Sequence, residues 1–182
     1  MAPPRQAMEM GGWIDKRGVR VILVMMTAKQ TMYIETTVVS AYFDFKQQDE
    51  VRKRITREFW KQILPKYAPV ISDIVFVELR RMADENQAEQ LIGLIAPIKE
   101  LPTDKRIEDL AESYIEQGII SKNKLEDALH LAEATMHKVD FLVSWNYKDL
   151  VRATQRRKIS EFHEKRKLPL PTIATPLEFF EL

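Results

Sequence analysis

The sequence predicts an α/β fold, with short apolar strands alternating with amphipathic helices. Three stretches carry this expectation. At 121–150, the helically spaced Leu125, Leu129, Ala132 and Met136 run at once into the continuous apolar segment Phe141, Leu142, Val143. At 32–34, Met32, Tyr33 and Ile34 form a short apolar strand before a helical segment, and at 69–71 Pro69, Val70 and Ile71 do the same. Where such strands are parallel, open α/β sheets place their sites at the C-terminal edge. Glu35 and the run Ser144, Trp145, Asn146 stand at those strand ends.

With 182 residues, 45% hydrophobic and 30% charged, the chain is sized for one domain with a real core. A net charge of +1 gives no global sign of a polyanionic partner, so any nucleic-acid binding must come from a local patch. The absence of cysteine excludes a disulfide framework, a thiol nucleophile and a thiolate zinc site, and suits a reducing cytoplasm. The longest apolar run, 21–26, is too short to span a bilayer and lacks a small-residue cleavage site after it. Neither export nor membrane insertion is expected.

Residues 1–31 differ from the rest, with Pro3, Pro4, Gly11 and Gly12 breaking any periodicity before the basic-apolar VRVILVMM. They read as an extension outside the fold, with Met26 and Met32 as alternative starts, or as a strand that pairs with a sheet edge or a partner. The strand 32–34 ends at Glu35, and the threonines Thr36 and Thr37 are expected to cap the helix VVSAYFDF. From 50 to 64, Val51, Ile55, Phe59 and Ile63 form one apolar stripe, while Arg52, Lys53, Arg54, Arg57 and Lys61 occupy the other faces. That basic surface either meets phosphates or is simply solvated.

After the strand at 69–71, Ser72 or Asp73 starts a helix reaching Met82. Glu78 has Ile74, Val75 and Met82 as helical neighbours, so its carboxylate lies on the apolar face. Buried there, it must be held charged by a cation or metal, or else be paired with Arg81 or placed at a solvent-tolerant edge. Helices at 86–95 and 104–117 follow, the second with Ile107, Leu110, Ala111, Tyr114 and Ile115 on one side. Asn123 and Glu126 have capping-box spacing, which places Asp127 in the first turn of the next helix, where the helix dipole favours an ionised carboxylate. His130, one turn on, reads as a packing or hydrogen-bonding residue. Between 152 and 167, seven cations stand against two anions, as a phosphate-steering patch or a solvated loop. The segment 171–176 reads as a last short strand and turn, and a short helix closes the chain.

The runs EDALHLAEA at 126–134 and DFLVSWNYKDL at 140–150 resemble the third and fourth motifs of the PIN-domain ribonucleases, a family that includes the VapC-type toxins. Glu35 with Thr37, and the helical Glu78, match that family's first and second motifs. The resemblance covers 32 to about 180. It implies a PIN-like three-layer α/β/α sandwich with a central, mostly parallel sheet over 32–182, and Glu35, Glu78, Asp127 and Asn146 as metal-binding and catalytic residues. Oxygen ligands favour Mg²⁺ or Mn²⁺. The activity implied is metal-dependent hydrolysis of RNA phosphodiester bonds, as the toxin of a toxin–antitoxin pair. The implied partners are an RNA substrate, a cognate antitoxin and a second copy in a homodimer, with Tyr114 and Ile115 as interface candidates unless they pack in the core. The alternative is a PIN-like domain that cleaves weakly or not at all and binds RNA or protein. The departure is Asn146, an amide where relatives usually carry a carboxylate, which predicts one firmly bound ion and a poorly held second one.

Overall fold

The computed structural model describes residues 13–14, 20–21, 28–47 and 49–180. Most of the 1–31 segment, including much of VRVILVMM and the start candidate Met26, lies outside the described residues. Within it, two-residue strands β1 (Trp13–Ile14) and β2 (Arg20–Val21) pair antiparallel. The chain then alternates through β3 (Thr31–Ile34), α1 (Thr36–Phe43), α2 (Glu50–Glu58), β4 (Ala68–Ser72), α3 (Asp73–Arg80), α4 (Glu85–Ile95) and β5 (Lys99–Leu101). It continues through α5 (Lys105–Glu116), α6 (Leu125–Met136), β6 (Phe141–Val143), α7 (Ala153–Arg166) and β7 (Thr172–Ala174).

Strands β3 to β7 form one five-stranded sheet in the order β5-β4-β3-β6-β7, and every neighbouring pair is parallel. The strand period of two sorts the side chains into two cores. Tyr33, Val70, Leu142 and Ile173 face α5, α6 and α7, while Met32, Ile34, Ile71, Val143 and Ala174 face α1 to α4. The result is the three-layer α/β/α sandwich expected from the resemblance, with an all-parallel main sheet. From β3 the chain winds outward to β4 and β5, then returns to lay β6 on β3's other side. The switch point therefore lies between β3 and β6, where a crevice opens beyond the strands' C-terminal ends.

Several local expectations are corrected. Helix α1 is capped by Glu35, whose carboxylate accepts from Thr37 N at 3.0 Å, rather than by a threonine. The Asn123–Glu126 capping box does not form. Helix α6 starts after Lys124 with no side-chain cap, and Glu126 instead meets Arg81 at 2.7 Å. The stripe on 50–64 loses its first member, since Val51 is 59% exposed. Helix α2 widens into a π-helical turn at Phe59–Ile63 and ends in a 3₁₀ turn at Leu64–Lys66, where Pro65 supplies no N–H. Tyr114 is fully buried and stacks on His163, with its hydroxyl 2.8 Å from Nε2. Ile115 packs against the same core, so core packing describes both residues. The basic segment 152–167 is mostly helix α7, and much of its charge is tied down. Arg156 makes a two-pronged pair with Glu178 at 2.8 Å, Arg166 donates to Ser113 at 2.8 Å, and Lys158 donates to the Gly118 carbonyl.

Candidate metal centre

Glu35 leaves β3 at the switch point and is 2% exposed. Four neighbours fix its carboxylate. Oε1 accepts from Thr37 N, and Oε2 accepts from the Thr37 hydroxyl and from Ser144 Oγ at 2.8 Å. The fourth, His130 Nε2, lies 3.8 Å from Oε1. The segment that follows β6 contributes the opposite wall: Trp145 N donates to Thr37 Oγ1 at 2.9 Å and Asn146 N to Ser144 Oγ at 2.8 Å.

Glu78 reaches in from α3, its side chain one-quarter exposed. Oε2 accepts from the Thr36 hydroxyl and lies 2.8 Å from His130 Nε2. Burial works against its charge, but the bond to His130, the imidazole's own charge and the Thr36 hydroxyl prevail and hold the carboxyl below its ordinary range. The imidazole shows the reciprocal effect. Burial pulls it down, while the bond to Glu78 and the charges of Glu35 and Glu78 leave it above its usual value.

Asp127, in the first turn of α6, is 9% exposed. Its Oδ1 accepts from Asn146 Nδ2 at 2.8 Å, but its buried Oδ2 has no hydrogen-bond partner, and Lys124 Nζ stands 3.9 Å away. Burial and the Glu35 charge push this carboxyl up to about 6. Asn146 works in two directions: its amide holds Asp127, and its Oδ1 accepts from Asp149 N at 3.1 Å to cap the π-helical turn Tyr147–Val151.

Ligand atoms of Glu35, Glu78 and His130 thus lie within 4.8 Å of one another, with the Asp127–Asn146 pair close enough for the Glu35 charge to be felt at Asp127. A hard divalent cation fits between Glu35 and Glu78, because it would neutralise the two gathered carboxylates, while Asp127 stands outside this closest group. His130, expected as a packing or hydrogen-bonding residue, is hydrogen-bonded to Tyr33 and Glu78 among the acids, and sequence reasoning left out one neighbour of the centre. Asp149 is 6% exposed and adds a negative charge that Asp127 feels, with nothing in the sequence pattern to single it out.

No family model matches the sequence, and no curated protein matches it as a relative. Solved structures do match. VapBC-1 from nontypeable Haemophilus influenzae aligns over 81% of this chain and 99% of its own at 15% identity, with a TM-score of 0.52. A toxin–antitoxin complex from Klebsiella pneumoniae aligns over 68% and 93% at 20% identity, with a TM-score of 0.50. The chain has a PIN-like three-layer α/β/α fold. In this PIN-like domain, Glu35 follows β3 and lies beside Glu78 of α3, while Asn146, three residues after β6, holds Asp127 of α6 and reaches the Glu35 side through Ser144. Among the described residues, no helix is long and apolar enough to cross a membrane.

Proposed function

We propose that this PIN-like domain, taken as 32–182, is a Mg²⁺- or Mn²⁺-dependent endoribonuclease acting as the toxin of a toxin–antitoxin pair. One observation carries the reading: Glu35 and Glu78 converge at the switch point near a buried Asp127 whose Oδ2 has no hydrogen-bond partner. Glu35, Glu78 and Asp127 would hold the ion, and Asn146 completes the set by fixing Asp127 through its amide. A bound ion lowers the pKa of its water and stabilises the leaving oxyanion of a phosphodiester.

The chain's own residues prepare that role. Thr37 and Ser144 donate to one oxygen of Glu35 and fix its rotamer, so that the carboxylate is pre-aimed. Asn146 occupies Oδ1 of Asp127 and leaves Oδ2 as the available ligand atom. A second reading, a PIN-like domain that binds RNA or protein with weak or no cleavage, is favoured by Asn146 alone, because an amide adds no charge where a carboxylate would. Incubation of the full chain with RNA separates the two readings. Cleavage that requires Mn²⁺ or Mg²⁺, stops with chelator and is lost in Glu78→Gln and Asp127→Asn supports the nuclease. Binding without cleavage at any metal concentration supports the second reading.

A further inference from the structure

A continuous hydrogen-bonded chain runs beneath the centre, from residues outside the proposed ligand set to Glu78. Ser72 Oγ lies 2.7 Å from Tyr33 Oη, Tyr33 Oη lies 2.8 Å from His130 Nδ1, and His130 Nε2 lies 2.8 Å from Glu78 Oε2. Ser72, Tyr33 and His130 are all 0% exposed. The members come from the end of β4, from β3, from α6 and from α3, so the chain ties the sheet to helices on both of its faces.

The protons in this chain can be assigned from its ends. An ionised carboxylate only accepts, so Nε2 must carry the proton it shares with Glu78. In the neutral ring Nδ1 accepts from Tyr33, and Ser72 donates to the Tyr33 oxygen; in the charged ring Nδ1–H donates to Tyr33, which donates to Ser72, and Nε2–H faces Glu78 in both. Were Nε2 instead a bare lone pair, it would face a carboxylate oxygen at 2.8 Å with no proton between them. The ring is also held edge-on against Tyr33, with centroids 5.7 Å apart, so it cannot turn away without breaking the chain.

We infer that His130 is the positioning residue of this centre: its Nε2–H, aligned from behind by Tyr33 and Ser72, turns the Glu78 carboxylate toward Glu35 and Asp127. Glu78 needs such a hold. It is the most exposed of the three acids and stands on a different helix from Asp127. The inference rests on the proposed metal centre, and it excludes His130 as a ligand because its only inward-facing nitrogen is already a donor.

The full-length chain supplies the test. Ring-nitrogen NMR, assigned with His130→Gln, should show a proton on Nε2 that persists when Mg²⁺ is added. Calorimetric titration with Mn²⁺ should show affinity lowered about 10- to 100-fold in His130→Leu. His130→Gln keeps an N–H donor and should retain most of the affinity, and Tyr33→Phe should fall between the two. Circular dichroism establishes that each variant is folded. A folded His130→Leu with wild-type affinity overturns the inference, as does loss of the Nε2 proton on adding Mg²⁺, which would make the ring a ligand. If the wild type takes up no divalent ion, the proposed function falls while the ring spectrum and a crystal structure of His130→Leu still decide the positioning role. Glu78 left in place in that structure would overturn it.

Discussion

Glu133 shows how a single carboxyl can set the pH behaviour of a fold. It is 1% exposed on α6, and the one hydroxyl proton of Thr103 faces both its Oε1 and Asp73 Oδ1. Oε2 has no hydrogen bond, and His137 Nε2, 3.3 Å away, lies at 3.0 Å from the Pro102 carbonyl. Burial is the main cause that pushes this carboxyl up to about 7. Its folded value exceeds its unfolded one, so the group favours folding most below about 4.5 and loses that advantage as pH rises toward about 7. Glu133→Gln supplies an amide that donates to Thr103, leaving the hydroxyl to donate to Asp73. The variant should be more stable at pH 8 by up to about 3 kcal/mol. Denaturant titrations at pH 8 and pH 4.5 check this, with the gain expected to vanish at the lower pH.

Asp127 obeys the same sign with a different consequence. Its folded carboxyl lies near 6, so proton and metal compete for it below that pH. Mn²⁺ affinity should be about tenfold weaker at pH 5 than at pH 7.5. An affinity unchanged across that range would remove Asp127 from the ligand set. Without metal, Asp127→Asn should raise thermal stability at neutral pH, because it removes a buried charge that the Asn146 amide and Lys124 offset only in part. The same replacement should abolish RNA cleavage, and that opposition of stability and activity marks a functional carboxylate.

At the scale of elements, helix α5 ends through Gly118, whose φ of +63° lets Ile119 N reach back to Tyr114 O at 2.8 Å. An added Cβ meets nothing within 4 Å, so only backbone strain opposes a side chain there. Gly118→Ala should cost about 1 kcal/mol, and Gly118→Asn less, measured by chemical denaturation. The elements also show what the sequence could reveal. Strands β3, β4 and β6 and most helices were legible, because each buries a periodic face. Strand β5 was not, since it is three residues long and its Lys99 and Glu100 are exposed. Helix α7 was hidden by its charges, with an apolar side reduced chiefly to Ile159 and Phe162. The π-helical turns break the 3.6-residue period itself. At the site, acids at strand ends and on helical faces were visible. The partners of His130 were not, because Tyr33 is 97 residues away in sequence and only the fold brings them together.

For the whole molecule, the proposed ion binding would be linked to folding, since carboxylates gathered at one edge repel and a cation between them relieves that repulsion. Added Mn²⁺ at one hundred times its dissociation constant should stabilise the chain by about 2.7 kcal/mol. Differential scanning calorimetry with and without chelator reads this directly. On the proposed toxin function, an antitoxin segment that offers an arginine to Glu35 and Glu78 would replace the cation with a two-pronged hydrogen-bonding group. Expression alone should slow growth, and Asp127→Asn should relieve it. Equal growth inhibition by the two proteins would separate toxicity from this centre.

The main sheet closes on both sides with very short strands, β5 at Lys99–Leu101 and β7 at Thr172–Ala174. Three residues offer few unpaired main-chain groups, and the charged side chains of β5 discourage a newcomer further. A binding peptide therefore gains little by lengthening the sheet as an added strand. It must be recognised through its side chains, in a helical or irregular conformation laid across the flanking helices, and a blocker built as a β-strand mimic would find no rail to run along.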